Sequence, residues 1–508
     1  MSRQARIEDD DEDMDQGVSL ADLPTDYDYT LPASSTGIAP EKASAVLSQF
    51  ERKRKAAALA VPTDDGRVRT RLRELGEPMT LFGEDAADRR DRLRQVMLET
   101  ATDDGNQDVD MSEADGQNAQ EEEFYSSGSS ELLEARKFIA RYSLPRTKTR
   151  VLSQKSESGI SMRIQSKHRK AIKDRLAMFE LAGSQIAGDR AVSITRFAPN
   201  GQSLAAGNWD GGIRILDVPN LNETRSLRGH TSMVGGIAWR PGATLPASDI
   251  SEDQVNLASG GEEGAINLWS LNQDTPIATL NGHSGRVCRV EFHPSGRFLA
   301  SASYDTTWRL WDIETSTELL IQEGHSREVY TVAFNTDGSL VASAGLDSIG
   351  RIWDLRSGRT LMILDGHIRE IYAMDWGIDG YRVLTGSGDG FVKCWDLRKV
   401  KEVGRVGAHK HLVSDVRWFK GLDNVDSRPS VNEEDVSKPR KSGTFFVSSG
   451  FDKNVNVFSA DDWSLCKTLS GHSANVMSVD ITNDSKWIAS GGADRTVKLW
   501  GCDDGQGI

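Results

Sequence analysis

Short apolar segments that end in Trp-Asp, or in a degenerate form of it, recur along the second half of the chain. They end at positions 217, 270, 312, 354, 396, 459 and 501, so the spacings are 53, 42, 42, 42, 63 and 42 residues. Gly-His or Ala-His precedes six of these seven segments. A period near 42 residues with both dipeptides is typical of four-stranded propeller blades. The pattern therefore predicts an all-β, seven-bladed propeller over residues 181–508, with insertions of 11 and 21 residues in two blades.

Each repeat also carries an acidic residue at a fixed distance before its Trp-containing segment. These acids are Asp210, Glu263, Asp305, Asp347, Asp389, Asp452 and Asp494. In a WD-repeat (WD40) blade this acid binds the Gly-His imidazole, and a small hydroxyl and the Trp indole N–H extend the network. A buried network of this kind rigidifies a turn and must be fully hydrogen-bonded. Because the same pair recurs in blade after blade, we interpret the Asp–His pairs as structural and not as catalytic relays.

Closure of the ring is predicted from its two ends. The last repeat ends its third strand at Trp500, so its outer strand must come from elsewhere. Gly188-Asp189-Arg190 stands where later repeats have Gly-His, which makes Leu181–Ile186 the predicted outer strand of blade seven. Closing a propeller in this way removes exposed sheet edges.

Residues 1–180 lack the repeat and form a largely helical, partly disordered arm that divides by charge. Residues 1–37 are acidic and poor in apolar groups, which favours disorder. Residues 38–60 read as a basic helix, and its run Arg52–Lys55 fits either a nuclear import signal or a solvated helix face. Residues 61–100 are predicted to form a small helical unit, and residues 101–130 an acidic linker.

Two helices are expected in the small unit. The first follows Thr63 as N-cap and carries Val68, Leu72 and Leu75, and the second covers Asp85–Thr100. A unit of this size rarely folds alone. Leu72, Leu75, Leu81 and Phe82 are therefore candidate partner-binding residues.

Residues 131–180 reverse the sign of the charge. Between Arg136 and Arg175 the sequence has thirteen Lys or Arg residues and only two acidic residues. A helix is expected to end near Ser143, ahead of Pro145, and the remainder reads as a phosphate-binding segment or, alternatively, as a solvated linker. The candidate RNA-binding residues are Arg136, Lys137, Arg141, Arg146, Lys148, Arg150, Lys167, Arg169 and Lys170.

Composition argues against several other classes. The net charge is −15, and the four cysteines form no CxxC pair, which suits buried thiols in a reducing compartment. We find no signal peptide, no apolar run long enough to span a bilayer, no P-loop, no GxSxG and no metal-ligand cluster. The sequence thus predicts an intracellular protein that is not an enzyme, with no cofactor, metal, membrane or small-molecule substrate.

The arm carries motifs that resemble one protein family. They are Val61–Asp65, Leu72–Pro78, Leu81–Glu84 and Arg89–Arg94, and they look like the splicing factor motif that precedes the propeller in the pre-mRNA processing factor 4 family. The resemblance runs from about residue 38 to the end. Residues 1–37 and the insertion around Asn424–Lys441 depart from it, and we expect no shared role for them.

The resemblance implies a nuclear, non-catalytic scaffold of the U4/U6 small nuclear ribonucleoprotein (snRNP) and of its tri-snRNP with U5. The implied partners are U4/U6 small nuclear RNA, pre-mRNA processing factor 3, other tri-snRNP proteins and, in some species, a cyclophilin. A substrate receptor for a ubiquitin ligase or a chromatin adaptor is the alternative, since many propellers serve there.

The face of the propeller that carries the Gly-His loops is a second candidate partner surface. Consecutive blades place Arg and Tyr there, and these residue types anchor interfaces. Both tyrosines are expected to point away from the blade interior, and both insertions are expected on the opposite face. The alternative is that Arg-Glu pairs only balance local charge. The candidate residues are Arg286, Arg327, Tyr330, Arg369 and Tyr372.

Overall fold

The computed structural model describes residues 61–62, 65–80, 86–103, 129–246, 248, 250–421 and 439–502. Thr63, Leu81, Phe82 and the predicted segments 1–37 and 38–60 lie outside the described residues, as do most of the predicted acidic linker and of the longer insertion. No helix among the described residues is long and apolar enough to cross a membrane.

Four helices precede the propeller in the described part of the chain. They are α1 (Asp65–Glu74), α2 (Ala86–Asp103), α3 (Ser130–Ser158) and α4 (Met162–Leu176). The pair α1 and α2 confirms the two helices predicted for the small unit. Leu72 and Leu93 are both 0% exposed and pack with Val61 and Val68. The prediction that Leu72 binds a partner is wrong, because its side chain fills the core between the two helices.

Seven four-stranded antiparallel sheets form the propeller. Blade one contains β2 (Val192–Phe197), β3 (Ser203–Asn208), β4 (Gly212–Asp217) and β5 (Glu223–Arg228). Blade two contains β6 (Val234–Trp239), β7 (Leu257–Gly261), β8 (Ile266–Trp269) and β9 (Ala278–Leu280). Blade three contains β10 (Val287–Phe292), β11 (Phe298–Ser303), β12 (Trp308–Asp312) and β13 (Thr317–Gln322).

The remaining blades follow the same order from the inner to the outer strand. Blade four contains β14 (Val329–Phe334), β15 (Leu340–Gly345), β16 (Gly350–Asp354) and β17 (Arg359–Leu364). Blade five contains β18 (Ile371–Trp376), β19 (Arg382–Ser387), β20 (Phe391–Asp396) and β21 (Lys401–Gly407). Blade six contains β22 (Val413–Trp418), β23 (Phe445–Gly450), β24 (Asn454–Ser459) and β25 (Leu465–Ser470).

Blade seven joins the two ends of the propeller. It consists of β26 (Val476–Ile481), β27 (Trp487–Gly492), β28 (Thr496–Gly501) and, as its outer strand, β1 (Glu180–Ile186). The register pairs Leu181 with Trp500 and Ile186 with Thr496. This confirms the predicted closure, and the inner strand β26 packs against β2 to complete the ring.

Apolar residues of neighbouring blades form the core between the sheets. Inner and middle strands are almost wholly buried because both faces of each sheet contact another blade. Strands covered on both faces read as continuous apolar or small-residue runs, as in β15. The seven sheets thus make a rigid disc whose two faces consist of turns.

Candidate functional site

The Gly-His face is the propeller face that carries the histidine loops and the acidic turns. In blade three, His283 Nδ1 lies 2.7 Å from Asp305 Oδ2 and His283 Nε2 lies 2.7 Å from Ser301 Oγ. Trp311 Nε1 donates to the same Ser301 Oγ at 2.8 Å. Burial raises the pKa of Asp305, but hydrogen bonds from His283 and Thr307 outweigh it and hold this pKa at about 2. The predicted structural network is therefore present.

The same chain of hydrogen bonds recurs in the other blades that have the histidine. The histidines of blades two and four to seven bind their acid and a Ser or Thr hydroxyl; they are His230, His325, His367, His409 and His472. Because the histidines are distributed around the ring, they do not converge. Among the described residues no group of three or more His, Cys, Asp or Glu side chains could hold a metal ion.

The predicted Arg and Tyr residues of blades three to five form a contiguous patch on the Gly-His face. The Tyr330 and Tyr372 rings lie 5.1 Å apart in an edge-to-face contact. The Arg289 guanidinium lies 5.9 Å from the centre of the Tyr330 ring. Both tyrosines are half-buried in this cluster instead of pointing freely outward, whereas Arg327 and Arg369 are exposed.

Arg286 is the member of this patch from blade three. Its guanidinium lies 5.7 Å from the centre of the Tyr304 ring. Burial raises the pKa of Tyr304 to about 12, so its hydroxyl keeps its proton at neutral pH. Tyr304 is not among the predicted residues. It directly precedes Asp305 in the acidic turn that every repeat has, and the repeat pattern does not distinguish it.

The insertion face is the opposite face, formed by the turns between first and second strands. The shorter insertion begins and ends there, after β6 and before β7, and the described ends of the longer one, residues 419–421 and 439–444, lie there too, as expected. Helix α3 runs over the turns of blades three to six on this face. Its Tyr142 ring lies 5.4 Å from His293, its Thr147 Oγ1 donates to Asp337, and its Gln154 Nε2 donates to the Asp379 carbonyl.

Helix α3 continues past Pro145, which corrects the predicted end near Ser143. Proline has no N–H and therefore removes one helical hydrogen bond. The helix persists because side chains on both sides of the proline are buried against the propeller, Leu132, Ile139 and Ser143 before it and Arg150 after it. Tertiary packing thus overrides the local preference.

Arg150 is the central polar contact of α3. Its Nη2 lies 2.7 Å from Asp337 Oδ2, and the side-chain exposures of the two residues are 11% and 6%. The prediction that Arg150 binds RNA is wrong, because its guanidinium is enclosed between α3 and the propeller. Arg440, at the end of the longer insertion, binds Ser153 and Glu157 of the same helix, which gives this insertion a role that we did not expect.

The other predicted RNA-binding residues divide into two groups. Lys137, Arg141, Lys148, Lys167 and Lys170 are exposed. Arg136, Arg146 and Arg169 are half-buried: the first packs against Gly358, the second lies 4.8 Å from the centre of the Tyr142 ring, and the third lies 2.8 Å from Asp461. Only the first group presents its charge fully to solvent.

Helix α4 fastens the arm to blade six before the chain enters β1. Its Ile172 and Leu176 are buried with Phe445 and Trp500. Lys173 binds Asp462, and Lys173 Nζ lies 3.0 Å from Ser464 Oγ. Helices α3 and α4 are therefore an integral layer on the insertion face.

A cavity of about 660 Å³ opens on the insertion face at the central axis. Charged side chains of the inner strands line it, and Arg146 of α3 reaches its rim. Arg196 Nη1 lies 3.0 Å from Asp415, and Lys420 Nζ lies 3.1 Å from Asp375. These ion pairs join residues of different blades, and no repeated sequence motif predicts them.

Comparison with known proteins agrees with this architecture. The family model described as pre-mRNA processing factor 4 (PRP4) like matches residues 68–96, which fall on α1 and α2. The model of the WD domain, G-beta repeat matches residues 184–217, 221–270, 274–312, 316–354, 358–396 and 463–501. Residues 397–462, which hold the longer insertion, lie outside these matches.

Relatives in two yeasts and in human carry the comparison further. The U4/U6 small nuclear ribonucleoprotein PRP4 of Saccharomyces cerevisiae is 40% identical over 497 residues, 96% of this chain and 100% of the yeast protein. An uncharacterized WD repeat-containing protein of Schizosaccharomyces pombe is 43% identical over 289 residues, 57% of this chain and 61% of that protein. The human U4/U6 small nuclear ribonucleoprotein Prp4 is 39% identical over 207 residues, 40% of each chain. Because the match to the budding-yeast protein spans its whole length and the family model falls on α1 and α2, this chain belongs to the pre-mRNA processing factor 4 family of WD-repeat proteins.

Proposed function

We propose that this protein is a nuclear, non-catalytic scaffold of the U4/U6 snRNP and of the U4/U6.U5 tri-snRNP in pre-mRNA splicing. The observation that carries the proposal is the full-length match to a yeast protein named as a U4/U6 small nuclear ribonucleoprotein. A rigid disc with an attached basic layer suits a scaffold, because each of its faces is a separate binding surface. The proposed protein partners are pre-mRNA processing factor 3, other tri-snRNP proteins and a cyclophilin.

Purification of the tagged protein from nuclear extract tests this function. Sequencing of the co-purified RNA should find U4 and U6 small nuclear RNA enriched over the U1 and U2 RNAs. Co-purification of ubiquitin-ligase or chromatin subunits without U4 and U6 RNA would instead favour the adaptor alternative.

The exposed cations of α3 and α4 are the proposed RNA-binding surface. Lys137, Arg141, Lys148 and Lys155 lie on one side of α3, within about 40° of each other around its axis at 100° per residue. Arg163, Lys167 and Lys170 lie together on one side of α4. All seven are exposed, and none has an ion-pair partner among the described residues. Such a surface attracts phosphates without reading sequence.

Charge reversal of the α3 cations is the direct test of RNA binding. The variant Lys137→Glu, Arg141→Glu, Lys148→Glu and Lys155→Glu should bind U4/U6 RNA much more weakly. The slope of log affinity against log salt should fall by about 0.7–0.9 for each phosphate that the protein no longer neutralises. Filter binding at several salt concentrations measures both quantities.

The matched control moves the same charge elsewhere on the protein. Arg190, Arg228, Lys399 and Lys401 are exposed cations of the propeller, and their change to Glu gives the same net charge. This control should keep most of the affinity and of the salt slope. Equal losses of affinity in the two variants would mean that RNA affinity depends only on total charge, and would contradict an RNA-binding surface on α3.

The helical unit is proposed to contact a protein partner. Leu75 is half-buried at the edge of its core, and Leu81 and Phe82 follow α1 in the sequence. Truncation of such an anchor commonly costs about 2 kcal/mol or more in binding. Leu81→Ala or Phe82→Ala should therefore release processing factor 3 from the purified protein, while the unfolding curve of the propeller stays unchanged. Retention of the factor by both variants would remove the docking role.

The patch on the Gly-His face is proposed as a further protein contact. Arg327 and Arg369 are exposed, so Arg327→Ala with Arg369→Ala should change stability by no more than about 0.5 kcal/mol. The same variant should migrate outside the tri-snRNP on a glycerol gradient. Lys399→Ala with Lys401→Ala, which removes the same charge from exposed residues on the opposite face, is the control and should migrate normally. Normal migration of the arginine variant would assign the contact to another surface.

A further inference from the structure

Helix α3 carries a second, aliphatic row beside its cations. Leu133, Leu144 and Val151 follow each other at intervals of 11 and 7 residues, which places them within about 20° of one another around the axis. They are 54%, 59% and 38% exposed. The row is about 27 Å long, or five helical turns.

This row is separate from the side by which α3 packs on the propeller. The buried residues Leu132, Ile139 and Arg150 lie about 100° or more from the aliphatic row. Thr147 and Gln154, which bind the propeller at the edge of the packing side, lie about 40–80° from it. A docked helix is held by anchors at intervals such as i and i+7, and Leu144 and Val151 have that spacing. Because Arg150 and Asp337 hold the helix in place, docking on this row needs no rearrangement of the arm.

We propose that the aliphatic row of Leu133, Leu144 and Val151 docks an amphipathic helix of a partner protein that has acidic residues along one flank. Intervals of 7 and 11 residues are sums of the 3- and 4-residue steps at which packed helices contact each other, whereas an extended strand needs pockets for alternate residues about 7 Å apart. A partner helix of about 18 residues would run the whole length of the row.

The cations beside the aliphatic row indicate which residues the partner helix should carry on one flank. Lys137, Arg141, Lys148 and Lys155 border the aliphatic row on one side, at about 40–80° around the axis. They have no ion-pair partner among the described residues, so carboxylates on the docked helix would complement them. The cation row is also the proposed RNA surface, but the docking of a helix on the aliphatic row does not depend on RNA binding. If both hold, RNA and the acidic helix compete for the cations, and only the helix uses the aliphatic row.

Two synthetic peptides and one variant of the full chain test the proposal. The first probe is an 18-residue helical peptide with a leucine seam and Glu on its flanks, and the second has Lys in place of every Glu. Leu133→Ser with Leu144→Ser and Val151→Ser should weaken binding of the acidic peptide at least tenfold and leave U4/U6 RNA binding unchanged. The basic peptide should not bind the unmodified chain, as measured by fluorescence anisotropy.

The matched control replaces three comparably exposed aliphatics of the propeller rim, Leu361, Ile363 and Val403, by serine. It should bind the acidic peptide as the unmodified chain does. Because a disturbed helix could mimic the removal of a binding site, hydrogen exchange of α3 is measured for the row variant, and the single change Leu144→Lys is tested beside it. Equal binding of both peptides, or full binding by the row variant, would overturn the proposal. Loss of RNA binding by the row variant would assign the row to the RNA surface and also overturn it.

Discussion

Among the six blades that have the histidine, the hydrogen-bonded chain from acid to histidine to hydroxyl to indole differs in one. In blades two, three, four, five and seven the hydroxyl also accepts from a Trp Nε1. Blade six has Phe458 at the Trp position, so Ser448 there serves only His409. This difference separates the contribution of the indole from that of the imidazole.

Removal of the hydroxyl should therefore cost more in blade three than in blade six. Ser301→Ala leaves both His283 Nε2 and Trp311 Nε1 buried without a partner, and each such group costs about 1–3 kcal/mol. We expect Ser301→Ala to lower the free energy of unfolding by about 3 kcal/mol and Ser448→Ala by about half as much. Urea unfolding of both variants measures this, and equal decreases would show that the indole contact adds nothing.

His293 predicts a pH dependence of stability. Burial lowers its pKa from 6.5 to about 4 in the folded state, although its hydrogen bond to the Gly338 carbonyl opposes this. Between pH 6.5 and 4 the unfolded chain binds a proton at this residue and the folded chain does not. Stability should therefore fall as pH drops through that range, by about 3 kcal/mol from this residue.

The variant His293→Gln isolates this effect. Its free energy of unfolding should depend less on pH between 6.5 and 4, and the remaining slope includes His472, whose pKa burial also lowers. Below pH 4 both proteins should lose stability together as Asp305 and Asp494, each with a pKa of about 2, take up protons. An unchanged slope in the variant between pH 6.5 and 4 would contradict the assignment.

At the scale of elements, the propeller strands could be predicted and the arm helices only in part. The seven repeats indicate where the strands lie, because each repeat forms a sheet that must pack against a neighbouring blade on both of its faces. The arm has no repeat, so Pro145 is the strongest local signal for a helix end, and it misleads because the stabilising contacts are distant in sequence. Asp337 and Asp379, which hold α3, belong to ordinary turns and carry no pattern of their own. For the same reason Arg150 could not be distinguished from the exposed cations by sequence.

Arg150 should be the residue that holds α3 on the disc. Arg150→Ala leaves Asp337 buried without its charged partner, and breaking a buried pair costs about 3–5 kcal/mol. We expect hydrogen exchange of residues 139–158 to increase strongly. Lys155→Ala, on the exposed side of the same helix, is the control and should leave exchange unchanged. Similar exchange in the two variants would mean that apolar packing alone holds the helix.

For the whole molecule, ring closure predicts where the chain can be shortened. A chain that starts at residue 129 keeps α3, α4 and β1 and should fold like the full protein. A chain that starts at residue 178 keeps β1 and should fold with lower stability, because α3 and α4 no longer cover the insertion face. A chain that starts at residue 188 lacks β1, exposes the edge of β28, and should aggregate. Size-exclusion chromatography distinguishes the three, and a monomeric, equally stable third chain would contradict the closure argument.

The connection of α4 to β1 also has a mechanical consequence. The arm enters the ring at Glu180, and β1 then runs antiparallel to β28 along its full length. A force that pulls the arm along the direction of β1 loads its ladder of hydrogen bonds with β28 in shear, all at once and not one after another. Hydrogen bonds that are loaded together resist a larger force than hydrogen bonds that break one after another. The ring can therefore stay closed while a bound partner pulls on the arm. Strand β1, which completes the ring, would then also transmit tension from the arm to the propeller.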